Sequence, residues 1–207
     1  MSRAAALKQG YTNEARRLAA RWIGRLARTR VSPNALTAAG VLLCGASAVL
    51  VYFEYRSEYV FFWVGGLVFV IGSILDILDG ALARTSGKQT PFGGFLDSTT
   101  DRVSEGFMIG AIALVFAREG NETALAFAFA ALAGSFLVSY TRARAEVLGL
   151  RGDVGVGSRA ERVVVIAVGL AFAPWGALQW AIYALAATAW ITVVQRILSV
   201  RAQLRQP

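Results

Sequence analysis

Long apolar segments, separated by short charged loops, account for most of the chain. Segments 31–53, 59–75 and 123–141 contain no charged residue, and each is flanked by basic or acidic side chains. Because a helix needs about 20 apolar residues to cross a bilayer, we interpret each of these segments as a membrane span. A membrane β-barrel would instead show short segments of alternating hydrophobicity. The pattern therefore predicts an all-α integral membrane protein.

The remaining apolar positions predict three more spans. Segment 163–195 is uncharged but too long for one crossing, and Pro174, Trp175 and Gly176 near its middle predict two helices joined by a tight turn. The last span is predicted at 91–117, where only 107–117 is free of charge. Hydropathy alone would miss that span, and we include it because an even number of spans agrees with the charge distribution.

The basic residues lie almost entirely on one side of this predicted topology. The chain has 207 residues, 21 Lys and Arg against 13 Asp and Glu, and a net charge of +8. Most basic residues fall in 1–30, 84–88, 142–162 and the C-terminal tail, so that both termini are expected in the cytoplasm and the protein in the cell membrane. Anionic lipid explains this charge, and a nucleic-acid partner is not needed.

The chain is expected to form one domain, 1–207, with a six-helix transmembrane core at 31–201. Residues 1–30 carry eight basic side chains among Ala, Leu and Trp22, which is typical of an amphipathic helix on the membrane surface. Cys44 is the only cysteine and histidine is absent, so that any reaction must use carboxylate, basic or hydroxyl groups.

Four aspartates stand where the apolar pattern is interrupted. Asp76 and Asp79 are three residues apart and Asp97 and Asp101 four apart, which places each pair on one helix face. The short connection makes the two helices antiparallel neighbours, so that the four carboxylates can converge. Carboxylates this close repel one another unless a hard cation such as Mg²⁺ binds them, and two such ions can support phosphoryl transfer.

Two other uses of the aspartates are possible. They could form structural salt bridges with Arg84, Lys88 and Arg102. They could also serve a cation or proton transporter as a relay. A cation path would not normally be lined by basic side chains, and Arg84 and Lys88 therefore favour a phosphate ligand.

The aspartates belong to a longer motif, Asp-x2-Asp-Gly-x2-Ala-Arg-x8-Gly-x3-Asp-x3-Asp, that resembles the signature of the CDP-alcohol phosphotransferase family. Its positions are filled by Asp76, Asp79, Gly80, Ala83, Arg84, Gly93, Asp97 and Asp101. The resemblance implies transfer of the phosphatidyl group of CDP-diacylglycerol to an alcohol, with release of CMP. It implies that the four aspartates bind two Mg²⁺ ions, with Mn²⁺ as an alternative, and that Asp101 also takes the proton of the attacking hydroxyl. Family members are usually homodimers.

The same resemblance suggests residues for both substrates. The expected CDP-lipid contacts are Asn34, Ala35, Leu36, Thr37, Gly80, Arg84 and Thr90. Segment 139–165 is similar to actinobacterial phosphatidylinositol phosphate synthases and their archaeal relatives, in which three cationic residues hold the phosphate of inositol 1-phosphate. Those positions fall on Arg142, Arg162 and Arg196. Inositol 1-phosphate is therefore the expected acceptor, and glycerol 3-phosphate, giving phosphatidylglycerol phosphate, is the alternative.

Overall fold

The computed structural model describes residues 32–156 and 159–205, and these residues form helices and connecting turns without β-strand. The predicted amphipathic helix at 1–30 lies outside the described residues. Two short 3₁₀ turns, Glu54–Arg56 and Ala173–Trp175, stand between longer helices. The long helices are α1 (Pro33–Tyr52), α2 (Glu58–Ser86), α3 (Pro91–Arg118), α4 (Glu122–Val147), α5 (Arg159–Ala171) and α6 (Ala177–Leu204). The all-α prediction is confirmed.

Local sequence explains where α1 and α3 begin. Ser32 caps α1 and Thr90 caps α3, each with a side-chain oxygen that accepts a hydrogen bond from a backbone amide three residues on. A proline follows each cap, at the first helical position, where a backbone N–H would have no acceptor within the helix. The two helices on either side of the aspartate motif therefore begin at defined residues.

Two helices extend further than their apolar segments. α2 continues past residue 75 to Ser86, so that Asp76 and Asp79 lie within the helix rather than at its end. Charged side chains do not terminate a helix; Gly87 does, with a φ of 66°. α6 likewise continues past residue 195 to Leu204. The predicted break before α6 is confirmed, since Gly176 has a φ of 77° and directly precedes the helix.

Among the six long helices of the described residues, four, namely α1, α2, α4 and α6, are long and apolar enough to cross a membrane. α3 has a charged N-terminal half, and α5 has only 13 described residues. All six predicted helices therefore exist, and length and hydropathy support membrane crossing for four of them. The chain is accordingly a multi-pass membrane protein.

Small residues allow α1 and α2 to pack closely. A Cβ atom added at Gly72 would lie 3.0 Å from both the Cys44 sulfur and the Gly40 carbonyl oxygen, and the Ser47 hydroxyl donates a 2.6 Å hydrogen bond to the Gly65 carbonyl. Between membrane helices such close contact is a main source of stability, because lipid gives no hydrophobic driving force for association. The contact reaches Asp76, because a Cβ added at Gly40 would lie 3.4 Å from the Asp76 Cβ.

The end of the bundle away from the aspartates holds an ion pair and aromatic side chains. Arg118, in the last turn of α3, contacts the Glu54 carboxylate at 2.5 Å. Its guanidinium also lies over the rings of Tyr52 and Tyr55, at 4.7 and 4.5 Å from their centroids. Burial raises the pKa of the Glu54 carboxyl, and the neighbouring Arg118 opposes that shift.

Candidate active site

Three of the four predicted metal ligands converge. Asp76 of α2 and Asp97 and Asp101 of α3 each offer a carboxylate oxygen, and these oxygens lie within 4.8 Å of one another. Asp76 is only 3% exposed, and its Oδ1 has no hydrogen-bond partner in the described part of the chain. A buried anionic oxygen without a donor is costly, and a hard divalent cation removes that cost. The cluster therefore fits Mg²⁺ or Mn²⁺.

Asp79, the fourth predicted ligand, is carried by α2 and contacts α1. It is 2% exposed, and its Oδ2 accepts a hydrogen bond from the Thr37 hydroxyl, whereas its Oδ1 has no partner among the described residues. Asp79 is not part of the group within 4.8 Å, but one of its oxygens remains available to a cation beside that group. Thr37, expected to contact the CDP-lipid, thus also orients a carboxylate.

A cavity of about 250 Å³ opens beside Asp79, and we call it the Gly80 cavity. It contains five of the seven residues expected to bind the CDP-lipid, whereas Ala35 and Leu36 of α1 are not among the residues that line it. The lining residues are Pro33, Asn34, Thr37, Asp79, Gly80, Ala83, Arg84, Lys88, Gln89, Thr90, Gly93, Gly94 and Asp97.

Basic side chains enter the Gly80 cavity without neutralising the aspartates. A Cβ added at Gly80 would lie 3.4 Å from Arg84 Nη1, so that the guanidinium lies close to Gly80. Within the described residues neither Arg84 nor Lys88 forms a salt bridge, and Arg102 donates to the Ser98 carbonyl instead. The structural salt bridges considered from the sequence are therefore not formed by these side chains.

Arg159 contacts the aspartates instead, which sequence analysis did not predict. Its guanidinium forms ion pairs with Asp76 and Asp101. The only sequence signal was its position three residues before Arg162, which puts both side chains on one face of α5. Arg159 therefore lies at the junction between the carboxylate cluster and a second cavity.

This second cavity, of about 240 Å³, is named the arginine cavity, and it is lined by residues of α3, α4, α5 and α6 and of the loop between α4 and α5. All three arginines expected to hold the acceptor phosphate line it, although they come from three different helices. The lining residues are Asp101, Arg102, Glu105, Val138, Ser139, Arg142, Asp153, Gly155, Arg159, Arg162, Thr192 and Arg196. Asp97 lines the Gly80 cavity and Asp101 the arginine cavity, one helical turn apart.

Arg162 is fixed by the half-buried carboxylate of Glu105, which sequence analysis did not assign. Its Nε and Nη2 donate to the two oxygens of Glu105 at 2.6 and 3.1 Å, and Arg162 is 8% exposed. A two-point arrangement of this kind fixes the plane of the guanidinium as well as its position. Glu105 follows Asp101 by one turn, so that α3 orients both the carboxylate cluster and this arginine.

Arg196 and Arg142 have different surroundings. Arg196 is 9% exposed and donates to the carbonyl oxygens of Val154, at 2.9 Å, and Val138. No carboxylate forms a salt bridge with Arg196 in the described part of the chain, so that its positive charge is not cancelled by direct contact. Arg142 is exposed and pairs with Glu146 at 2.9 Å. A buried cation held only by carbonyls is well suited to bind an anion.

Comparison with known proteins agrees with this geometry. A model of the CDP-alcohol phosphatidyltransferase family matches residues 30–199. Archaetidylinositol phosphate synthase of Pyrococcus horikoshii is 36% identical over 180 residues, covering 86% of this chain and 88% of the relative. Phosphatidylinositol phosphate synthase of Streptomyces avermitilis is 37% identical over 189 residues, covering 86% and 75%.

Solved structures give the same result. The crystal structure of Mycobacterium tuberculosis phosphatidylinositol phosphate synthase with CDP-DAG bound has a TM-score of 0.78 and 30% identity, and the match covers 89% of this chain and 94% of that one. The same enzyme in complex with manganese and citrate also has a TM-score of 0.78, with 88% of each chain covered. The chain is therefore an enzyme of the CDP-alcohol phosphatidyltransferase family.

Proposed function

We propose that the protein transfers the phosphatidyl group of CDP-diacylglycerol to inositol 1-phosphate and releases CMP. The observation that carries the proposal is that two polar cavities meet at the aspartate cluster: Asp97 lines one of them, and Asp101, one turn further along α3, lines the other. A two-substrate transfer requires this arrangement, because the donor and the acceptor must reach the same phosphorus from different directions.

The Gly80 cavity is assigned to the cytidine diphosphate of the donor. Arg84 and Lys88 supply positive charge for the pyrophosphate, and the absence of a side chain at Gly80 lets the nucleotide approach the backbone. Asn34 and Thr37 line the same cavity at the N-terminus of α1, where the positive end of the helix dipole favours a phosphate. The solved relative that contains CDP-DAG supports this choice of donor.

The four aspartates are assigned to two Mg²⁺ ions. Bound divalent cations would supply the positive charge that stabilises the pyrophosphate oxygens as negative charge develops during transfer. Asp76, Asp79, Asp97 and Asp101 would hold the ions, and Oδ1 of Asp76 and Oδ1 of Asp79 have no donor among the described residues. The complex of the M. tuberculosis enzyme with manganese supports a divalent cation and keeps Mn²⁺ as an alternative.

Asp101 is assigned a second role as the proton acceptor. It is the aspartate of the cluster that lines the arginine cavity, and histidine is absent from the chain. A hydroxyl that enters from the arginine cavity meets the Asp101 carboxylate first. Its proton passes to an Asp101 oxygen as the bond forms between the hydroxyl oxygen and the phosphorus of the phosphatidyl group. The oxygen–phosphorus bond to CMP breaks in the same step.

The arginine cavity is assigned to the acceptor. Arg142, Arg162 and Arg196 converge there, and they suit the phosphate of inositol 1-phosphate. The names of two relatives, archaetidylinositol phosphate synthase and phosphatidylinositol phosphate synthase, favour this acceptor over glycerol 3-phosphate.

We extend the proposal to the membrane and to assembly. All six helices cross the cell membrane, both termini and both polar cavities are cytoplasmic, and α3 and α5 cross as part of the bundle despite their weaker hydropathy. A homodimer is proposed to form over an apolar groove of about 940 Å³, where Gly106 and Gly110 of α3 leave room for a neighbouring helix.

The proposal is tested by measuring CMP release from purified protein in detergent. Release is expected only when CDP-diacylglycerol, inositol 1-phosphate and Mg²⁺ are all present, and a labelled acceptor should appear in the lipid fraction. Glycerol 3-phosphate, free inositol and serine serve as parallel acceptors. Higher kcat/KM with glycerol 3-phosphate would transfer the assignment to phosphatidylglycerol phosphate synthesis. Cation flux into vesicles without CDP-lipid would instead support the transporter.

A further inference from the structure

The loop between α4 and α5 is fastened to α6 on both sides of Asp153. The Gln203 side chain accepts from the Arg151 amide and donates to the Arg151 carbonyl, both at 2.9 Å. On the other side, Arg196 Nε donates to the Val154 carbonyl at 2.9 Å. These bonds fix the backbone immediately before and after Asp153 and its neighbour Gly152.

Gly152 fixes the same loop against α4. A Cβ at Gly152 would lie 3.0 Å from both the Cα and the carbonyl oxygen of Arg142, so that only glycine fits this approach without displacement. The loop is therefore held between α4 and α6, at the two helices that carry Arg142 and Arg196. Asp153, the next residue, lines the arginine cavity from this fixed position.

Asp153 differs from the other acidic residues of the cavity. Asp101 pairs with Arg159, and Glu105 pairs with Arg162. Asp153 is exposed and makes no hydrogen bond or salt bridge within the part of the chain that the structure describes. Its charge still acts on Arg196, as do the charges of the two other phosphate-binding arginines. It is thus a carboxylate inside an anion site.

A carboxylate at this place weakens the binding of a phosphate by repulsion, so it has to contribute something else to an acceptor complex. An ionised carboxylate only accepts hydrogen bonds, and the donors that a phosphorylated alcohol brings are its hydroxyl groups. The arginines provide donors only, and Asp101 is assigned to the attacking hydroxyl. Asp153 is then the available carboxylate for the remaining hydroxyls.

Building on the acceptor assignment made above, we propose that Asp153 determines acceptor specificity. Its carboxylate accepts hydrogen bonds from ring hydroxyls of a cyclic polyol phosphate, and it thereby selects such an acceptor over a short one such as glycerol 3-phosphate. A short acceptor bound by the same arginines has few hydroxyls with which to offset the repulsion, whereas a ring that carries a hydroxyl on each of its other carbons offsets it.

The test compares Asp153→Ala and Asp153→Asn with wild type, using inositol 1-phosphate and glycerol 3-phosphate as acceptors at saturating CDP-diacylglycerol. Loss of a hydrogen bond to a charged group is worth about 1.5–3 kcal/mol, so kcat/KM for inositol 1-phosphate should fall at least roughly tenfold in Asp153→Ala. For glycerol 3-phosphate it should stay unchanged or rise. Inhibition by inorganic phosphate, which has no carbon-bound hydroxyls, should become stronger.

Controls separate this role from charge and from folding. Glu122→Ala removes one exposed carboxylate of α4 at the opposite end of the bundle and should alter neither acceptor. Parallel changes of kcat/KM for both acceptors in Asp153→Ala would mean that the residue sets only the charge of the site, and would overturn the proposal. So would a raised KM for CDP-diacylglycerol or a lowered melting temperature, since either indicates a structural role. Wild-type protein that uses glycerol 3-phosphate but not inositol 1-phosphate would overturn the acceptor assignment itself.

Discussion

At the residue scale, Arg159 changes how the aspartate cluster is understood. Its guanidinium contacts Asp76 and Asp101, two of the three carboxylates that are grouped closely enough to bind a metal. A divalent cation would bind the same carboxylates. Arg159 and the cation therefore compete, and in the protein without metal the arginine stabilises carboxylates that would otherwise repel one another.

We predict that Arg159→Gln binds divalent cations more tightly. Removal of a like charge a few ångströms from the site is worth more than about 1.4 kcal/mol at an effective dielectric constant near 20, so the affinity for Mn²⁺ should rise by roughly tenfold or more. The measurement is an electron paramagnetic resonance titration with Mn²⁺ in detergent, without CDP-lipid.

Arg144→Gln is the matched control, because Arg144 is an exposed arginine on α4 that makes no salt bridge with the described aspartates. It should leave Mn²⁺ affinity near the wild-type value. Equal affinity in wild type and Arg159→Gln would show that the guanidinium does not compete for the oxygens.

What could be predicted at this scale depends on sequence separation. The pairs Asp76 with Asp79 and Asp97 with Asp101 were predictable, since i,i+3 and i,i+4 spacing determines a helix face without any knowledge of the fold. The contact of Arg159 with Asp76 was not, because it joins residues 83 positions apart, and only the packing of α5 against the bundle creates it.

At the scale of the elements, α3 carries the central part of the site. It presents Asp97 to one cavity and Asp101 to the other, and Glu105 holds Arg162 one turn further on. α2 contributes Asp76 to the same cluster, and the position of α2 is determined by its contact with α1. The geometry of the site thus depends on helix packing outside it.

We predict that Gly72→Val weakens metal binding although Gly72 is not a ligand. Its side chain would meet Cys44, Leu43 and the Gly40 carbonyl, all at 3.0–3.1 Å, and the helices must separate. Such overpacking costs about 1–3 kcal/mol of stability. Asp76 lies one turn further along α2, so the melting temperature and the Mn²⁺ affinity should fall together.

Gly66→Ala is the control for this substitution. A Cβ at Gly66 of α2 would lie 3.4 Å from the Leu170 Cβ, an ordinary van der Waals contact, so neither measurement should change. A melting temperature that drops while Mn²⁺ affinity stays at the wild-type value would show that the α1–α2 contact stabilises the fold without positioning the ligand.

Hydropathy predicted the elements better than their ends. The uncharged segment 59–75 located α2 but stopped short of its end at Ser86. A hydropathy scale marks the point at which side chains become polar, and the helix continues beyond that point. The capped turns at Ser32 and Thr90 and the break at Gly176 could be predicted, since proline and glycine act through local backbone geometry.

At the scale of the whole molecule, the two ends of the bundle have different chemistry. One end carries both polar cavities, at the starts of α1, α3 and α5 and in the last parts of α2, α4 and α6. The other carries the Arg118–Glu54 pair and the ring cluster of Tyr59, Trp63 and Trp175. Aromatic side chains of this kind favour a membrane–water interface. The alternation of the helix ends predicts six crossings.

The last prediction tests this topology by labelling single cysteines with a membrane-impermeant maleimide. Cys44 is the only cysteine and is buried, so Cys44→Ser provides an unreactive background. Arg56→Cys and Glu119→Cys should react in intact cells, because both positions lie at the end away from the cavities. Gln89→Cys and Arg205→Cys should react only after the membrane is opened, because basic loops remain on the cytoplasmic side. If α3 does not cross the membrane, positions 89 and 119 will be labelled from the same side. Inverted accessibility at all four positions would place the cavities outside the cell and contradict the cytoplasmic assignment of the active site.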